Sequence, residues 1–239
     1  MIFIVLCILS GSCFLNASDV YRLDFKTETA VIAPSLFLGS YSLFQYQRQT
    51  DLSRESVENL SISNINFFDR PATQNFSPTA SKISDFILIA CLIAPFALNL
   101  DGNIAKESNE VNFITAETFM FTASLVSISK TNIQRKRPYV YNENVDIRVR
   151  TAKASQHSFF SAHTALAFSG AMLTAKMIDD FYPDKNNFVI YATAATTASV
   201  VGYLRYKSGK HFPTDIIVGA IIGTGAALLV PYIHKNDKW

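Results

Sequence analysis

The chain has 239 residues and a net charge of +2, with 49% hydrophobic and only 17% charged residues. That length suits one sizeable core or one membrane bundle rather than two domains, and the near-neutral charge excludes a basic field for nucleic acid. The composition is greasier than a typical soluble domain and less so than most polytopic membrane proteins, so membrane contact is decided segment by segment.

The N-terminus reads MIFIVLCILSGSCFLNASDV. An apolar run over 2–9 followed by small and polar residues, with Ala17 at a possible cleavage position, has the shape of a secretory signal; the usual positive n-region is missing. Residues 1–17 are therefore expected to be a signal peptide or N-terminal anchor, and 18–239 a single domain. Cys7 and Cys13 fall in this leader, leaving Cys91 alone, so a disulfide framework or a cysteine metal site is excluded.

Six apolar stretches follow, at 29–44, 84–100, 111–129, 163–178, 188–204 and 215–233. They lack strict alternation and are rich in Ala, Leu, Ile and Phe, which predicts helices rather than strands. Most sit at the lower edge of the roughly 20 residues that a bilayer requires. Gly219 and Gly223 form a G-x-x-x-G suited to close helix packing. The polar segment 45–83, with Pro71 and Pro78, is expected to hold short surface helices or a cap. The loops 45–83, 130–162 and 205–214 carry 14 of the 21 Lys and Arg residues. Six spans starting inside would place these loops outside, against the positive-inside rule.

Three polar segments stand out against this apolar background. In KTNIQRKRPYV, a helix continuing to Arg137 would put Lys130 and Arg137 on one face, and Pro138 should end it there. In SQHSFFSAHTALAF, Ser158 or Ser161 can cap the following helix, whose unpaired first amides make an anion site beside His163. In LRYKSGKHFPTDII, Pro213 suits a first helical position, and Asp215 can reach back to one imidazole nitrogen of His211, leaving the other as a nucleophile. Arg205 supplies a further guanidinium at the end of the preceding helix.

Read together as Lys130-x6-Arg137-Pro138, Ser161-Ala162-His163 and Arg205-x5-His211-x3-Asp215, these segments resemble the three-part signature of the type-two phosphatidic acid phosphatase and vanadium haloperoxidase superfamily. The resemblance covers about 111–233, with the signature at 130–215. It departs at three positions: Phe160 stands where the family has Pro, Ala162 where it has Gly, and Leu204 where it has Ser. Ala162 keeps its N–H but adopts positive φ less freely than Gly.

The resemblance implies an all-α bundle of about six core helices, membrane-embedded or membrane-associated. It further implies a metal-independent phosphatase without cofactors, acting on a phosphorylated lipid at a membrane. His211 would attack phosphorus, Asp215 hold its ring, and His163 protonate the leaving oxygen and then activate water; Lys130, Arg137, Ser161, Ala162 and Arg205 would cradle the phosphate. The expected location is a bacterial inner membrane with the site facing the periplasm, or the periplasm itself. A soluble exported acid phosphatase, a vanadate-dependent haloperoxidase and an inactive phosphate-binding membrane protein are the alternatives.

Overall fold

The structure, a computed structural model, describes residues 20–183 and 186–236; the leader expected at 1–17 lies outside them. Six long helices carry the fold: α1 (Phe25–Arg48), α2 (Pro78–Ala97), α3 (Ser108–Ile133), α4 (Ala162–Phe181), α5 (Phe188–Lys207) and α6 (Pro213–Ile233). Each grows from one of the six apolar stretches, so the expected all-α bundle is the observed one. Among the described residues the only β feature is an isolated bridge between Tyr21 and Lys235, which ties the segment before α1 to the one after α6.

The helix starts follow from local chemistry. Ser77 caps α2, accepting from the Ala80 amide at 3.2 Å with Pro78 in the first turn. Ser161 caps α4, accepting from the Thr164 amide at 3.3 Å. At α6, Pro213 opens the helix and Asp215 reaches back to the Phe212 amide at 2.9 Å. Each bond satisfies an amide that has no partner within its helix.

Helix α4 is central and touches α2, α3, α5 and α6, while α1 packs on α3. Its buried positions are mostly Ala, Ser, Thr and Gly, which lets neighbouring backbones approach closely. The G-x-x-x-G of α6 is used for this contact: a Cβ on Gly223 would collide with the Ala165 carbonyl oxygen, and one on Gly219 would lie 2.8 Å from that of Ser161.

The outward faces are apolar. Phe37 on α1 is 71% exposed, Phe86 on α2 74% and Ile221 on α6 64%. Three helical segments, Pro78–Leu100, Ile104–Tyr141 and Pro213–Ile233, are long and apolar enough to cross a membrane. Apolar side chains turned outward around a core of small and polar residues are what a helical bundle shows when lipid is its solvent.

The site-bearing ends of the helices gather at one end of the bundle, where the segment 49–77 lies across them as a short helix (Arg54–Glu58) and two 3-10 turns. All three basic loops therefore share that end, and several of their cations are structurally committed. Arg135 pairs with two carboxylates, and the Nε of the buried Arg150 donates to the Val140 carbonyl at 2.8 Å.

Candidate active site

The first segment departs from its expected geometry. Helix α3 stops at Ile133, because Gln134 adopts a left-handed conformation (φ 48°) and its amide closes onto the Lys130 carbonyl at 3.3 Å. Arg137 is extended (φ −75°, ψ 154°), as the following proline demands. Lys130 and Arg137 are thus not two turns apart on one helical face. The turn brings them together instead, and both line a cavity of about 490 Å³ with Ser127, His157 and, from α1, Leu43 and Tyr46. Lys130 Nζ donates to the His157 carbonyl at 2.6 Å, and the Arg137 amide to that of Ser155 at 2.8 Å.

The second segment forms the N-terminus of α4. Ser161 is the buried cap, and the Ala162 and His163 amides begin the helix, where no intrahelical acceptor exists. Ala162 is helical, and Gln134 is the one non-glycine residue with positive φ among the described residues. The replacement of the family's glycine therefore imposes no backbone strain here.

In the third segment His211 is buried and receives a hydrogen-bond acceptor at Nδ1, the Ser158 carbonyl at 2.8 Å. A carbonyl can only accept, so Nδ1 carries the proton and Nε2 presents its lone pair. Burial first, and then the charges of Lys130, Arg137 and Arg205, hold the ring well below its usual pKa and keep it neutral. This is the protonation state that a nucleophilic imidazole needs.

Asp215 does not hold His211 as its spacing suggested. Its nearest oxygen lies 3.8 Å from Nδ1. The carboxylate is taken up instead by the Phe212 amide at 2.9 Å, by Ser158 Oγ at 2.5 Å and by Arg135 Nη1 at 2.5 Å. Capping α6 turns it away from the ring, and Ser158 links the two, its hydroxyl on Asp215 and its carbonyl on His211.

Two further acidic residues, both missed in the sequence, complete the site end. Asp69, from the polar segment 45–83, is fully buried and accepts from Arg135 Nη2 at 2.7 Å, from Thr214 Oγ1 at 2.7 Å and from the Thr214 amide at 3.0 Å. Burial pushes its carboxyl up, but the Thr214 and Arg135 bonds outweigh this and hold it below the ordinary Asp value. Arg135 bridges Asp69 and Asp215 with its plane over the Phe212 ring, 4.1 Å from the centroid. Asp85, on α2, accepts from His163 Nε2 at 2.8 Å and lies 3.5 Å from Arg205 Nη1. No spacing rule joins residues so far apart in sequence; only an unexplained acidic residue near a capped helix start, such as Asp85 after Ser77-Pro78, hints at them.

Arg205 is buried, its Nη1 held by Ser81 at 3.2 Å and Ser84 at 3.1 Å. These α2 serines supply polar contacts on a guanidinium whose own neighbour in sequence is Leu204. The Nε atoms of Arg137 and Arg205 are buried and without hydrogen-bond partners. Two guanidinium donors left unpaired beside Lys130 and a helix N-terminus make a cradle for a multiply charged anion.

A family model described as the PAP2 superfamily matches residues 113–239. The chain belongs to the PAP2 superfamily. The lipid A 4'-phosphatase of Porphyromonas gingivalis is 28% identical over 118 residues, 47% of each chain, so this PAP2 protein spans about half the length of that curated relative. Among solved structures, a transmembrane PAP2-type phosphatidylglycerolphosphate phosphatase from Bacillus subtilis superposes with a TM-score of 0.52 at 18% identity, over 83% of this chain and 94% of that one, and shows the same fold. Aquifex aeolicus LpxE gives 0.49 at 22% identity, over 72% and 98%.

Two predictions arise in this PAP2 site. Replacing Asp85 with Asn should lower kcat for phosphate release about tenfold to a hundredfold, with a smaller effect on KM. Burial and then the Arg205 charge push the pKa of the His163 imidazole down to about 4, and Asp85 is the partner that opposes them and favours its protonated form. The drop stays moderate because the Asp85 side chain is 51% exposed and water can partly replace it. An equal change in both parameters, or none, would count against the assignment. Lys210 gives the second. Burial and then the Arg205 and Arg137 charges bring its pKa down to about 8, so its positive charge is lost as pH rises through that value. KM for an anionic substrate should therefore climb between about pH 7 and 9, and Lys210→Arg, which stays charged, should flatten the profile. The same climb in the variant would assign it to another group.

Proposed function

We propose that this protein is a metal-independent phosphatase that removes a phosphate from a lipid-borne monoester or diphosphate through a phosphohistidine on His211. The observation that carries this reading is a buried neutral imidazole, its Nε2 lone pair free, set among Lys130, Arg137 and Arg205, the two arginines with unpaired Nε donors. The three cations supply the charge that a transferring phosphoryl group requires.

In the first step Nε2 of His211 forms a bond to phosphorus as the ester P–O bond breaks, and His163 gives its Nδ1 proton to the departing oxygen. Burial and Arg205 hold the His163 pKa down at about 4, but Asp85 and the negative charge of the bound phosphate favour its protonated form. Asp85 accepts from Nε2 of His163, leaving Nδ1 for this exchange. In the second step His163 takes a proton from water, the water oxygen bonds to phosphorus, and the P–N bond breaks to release phosphate and restore His211. Asp215 acts on His211 through Ser158, which fixes the position of the ring.

A lipid is favoured over a soluble ester by the cavity at the site. Its walls combine Leu43 and Tyr46 of α1 with the polar Ser42, Ser127 and Thr131 and the cationic Lys130 and Arg137, a mixed lining beside helices whose outer faces are apolar. The name of the Porphyromonas relative adds lipid A phosphates to the substrates worth testing, alongside phosphatidate, phosphatidylglycerol phosphate and polyprenyl diphosphate. We infer that the site-bearing end faces the periplasm from the inner membrane.

The test is phosphate release from that panel by full-length protein in detergent, with EDTA present and vanadate as inhibitor. Vanadate-sensitive release from one lipid is expected. Turnover of p-nitrophenyl phosphate without turnover of any lipid would point to a broad acid phosphatase, and bromide oxidation by peroxide with added vanadate to a haloperoxidase. A folded protein that binds phosphate and releases none would overturn the enzymatic reading.

A further inference from the structure

A second polar cluster lies inside the bundle, away from His211. It joins Glu28 in the first turn of α1, Glu117 in α3 and His234 directly after α6. From Asp215 to His234 the chain runs the length of α6, roughly 28 Å at the rise of a helix, so the two sites occupy opposite ends. Tyr21, Leu23, Ile114 and Val230 form the apolar core at this end. Glu28 and His234 are 0% and 1% exposed, and Glu117 is 1% exposed.

His234 Nδ1 faces the Val230 carbonyl at 2.7 Å, which sets its proton there and turns the Nε2 lone pair inward. Nε2 lies 3.1 Å from Glu28 Oε1 and 3.1 Å from Glu117 Oε2. Glu28 Oε2 and both oxygens of Glu117 are buried without a hydrogen-bond partner. Among the described residues no Lys or Arg pairs with either carboxylate. The nearby Lys176 and Lys235 are engaged by Asp180, at 2.5 and 2.7 Å.

Protons alone satisfy this cluster poorly. If Nε2 is also protonated, its single N–H serves one carboxylate oxygen, and the other carboxyl must take up a second proton shared with its neighbour or stay charged and unpaired in the core, a costly state. A divalent cation satisfies all three groups at once. The three ligand atoms lie within 4.8 Å of one another. Two ligands at about 2.0–2.1 Å from a tetrahedral zinc are about 3.3 Å apart, close to both distances from Nε2. A histidine whose second nitrogen donates to a backbone carbonyl is also the usual arrangement of a metal ligand.

We propose that Glu28, Glu117 and His234 form a binding site for a divalent transition-metal ion, with zinc the best match to one imidazole and two carboxylates. The ion joins the start of α1, the body of α3 and the end of α6, and so holds the end of the bundle opposite the catalytic residues. It stands independently of the phosphatase reading.

The test uses full-length protein in detergent, stripped with a strong chelator, re-equilibrated with Zn²⁺ or Co²⁺ and freed of excess metal. Wild type is expected to retain a stoichiometric ion, to show a visible d–d band with Co²⁺ and to melt at a higher temperature when loaded. Glu117→Gln, close in shape to the native side chain, should weaken zinc binding about tenfold or more while keeping the helical circular-dichroism signal, and His234→Ala should abolish the Co²⁺ band. Wild type that retains no ion and shows no shift in melting overturns the proposal, as does equal retention by wild type and Glu117→Gln.

Discussion

Replacing His211 with alanine should reduce phosphate release on the order of 10⁴-fold or more, because the group proposed to form the covalent intermediate is gone while the proposed phosphate cradle remains. The ring is set for this role by its surroundings. The Ser158 carbonyl at 2.8 Å fixes the proton on Nδ1, and burial among Lys130, Arg137 and Arg205 keeps the ring neutral. Phosphate binding should persist in the variant, since it does not require attack by Nε2, whereas vanadate, which takes the nucleophile as its fifth ligand, should bind more weakly. Rapid quenching of wild type with labelled substrate should trap an acid-labile, base-stable phosphoprotein that His211→Ala lacks. Near-normal turnover in the variant would remove His211 from the reaction and with it the proposed mechanism.

The second large effect is expected on stability. Arg135→Ala should destabilise the fold by about 3 kcal/mol or more, since it leaves two buried carboxylates without their shared cation. Asp69 and Asp215 are both fully buried, and the guanidinium reaches them at 2.7 and 2.5 Å. Arg135→Lys should recover only part of the loss, because an ammonium cannot fork between two carboxylates and lie flat over Phe212. Acid should act in the same direction. Asp69 has its folded pKa held below the ordinary value, so its contribution is present above that value and is lost as pH falls through the folded one. Thermal melts of the three proteins in one detergent, at neutral and acid pH, test both points. An unshifted midpoint for Arg135→Ala at neutral pH would show that solvent compensates the pair.

By itself the sequence determined the helices and where several of them start. Apolar stretches, Ser161 as a cap, and Pro213 with Asp215 at a helix start act over a few residues, and such short-range effects are readable in one dimension. The three motif segments could be recognised for the same reason, because each keeps its polar residues within a short span. Tertiary structure decided which of those residues touch. Capping α6 drew Asp215 off His211, and a left-handed residue at Gln134 replaced the expected helical face of Lys130 and Arg137 with a turn. It also supplied partners from elsewhere in the chain: Asp85 for His163, Asp69 for Arg135 and Thr214, and Glu28 with Glu117 for His234. A buried charge must find a counter-charge or donor wherever the packed helices bring one near, and that requirement is set by distance in space, for which sequence separation leaves no trace.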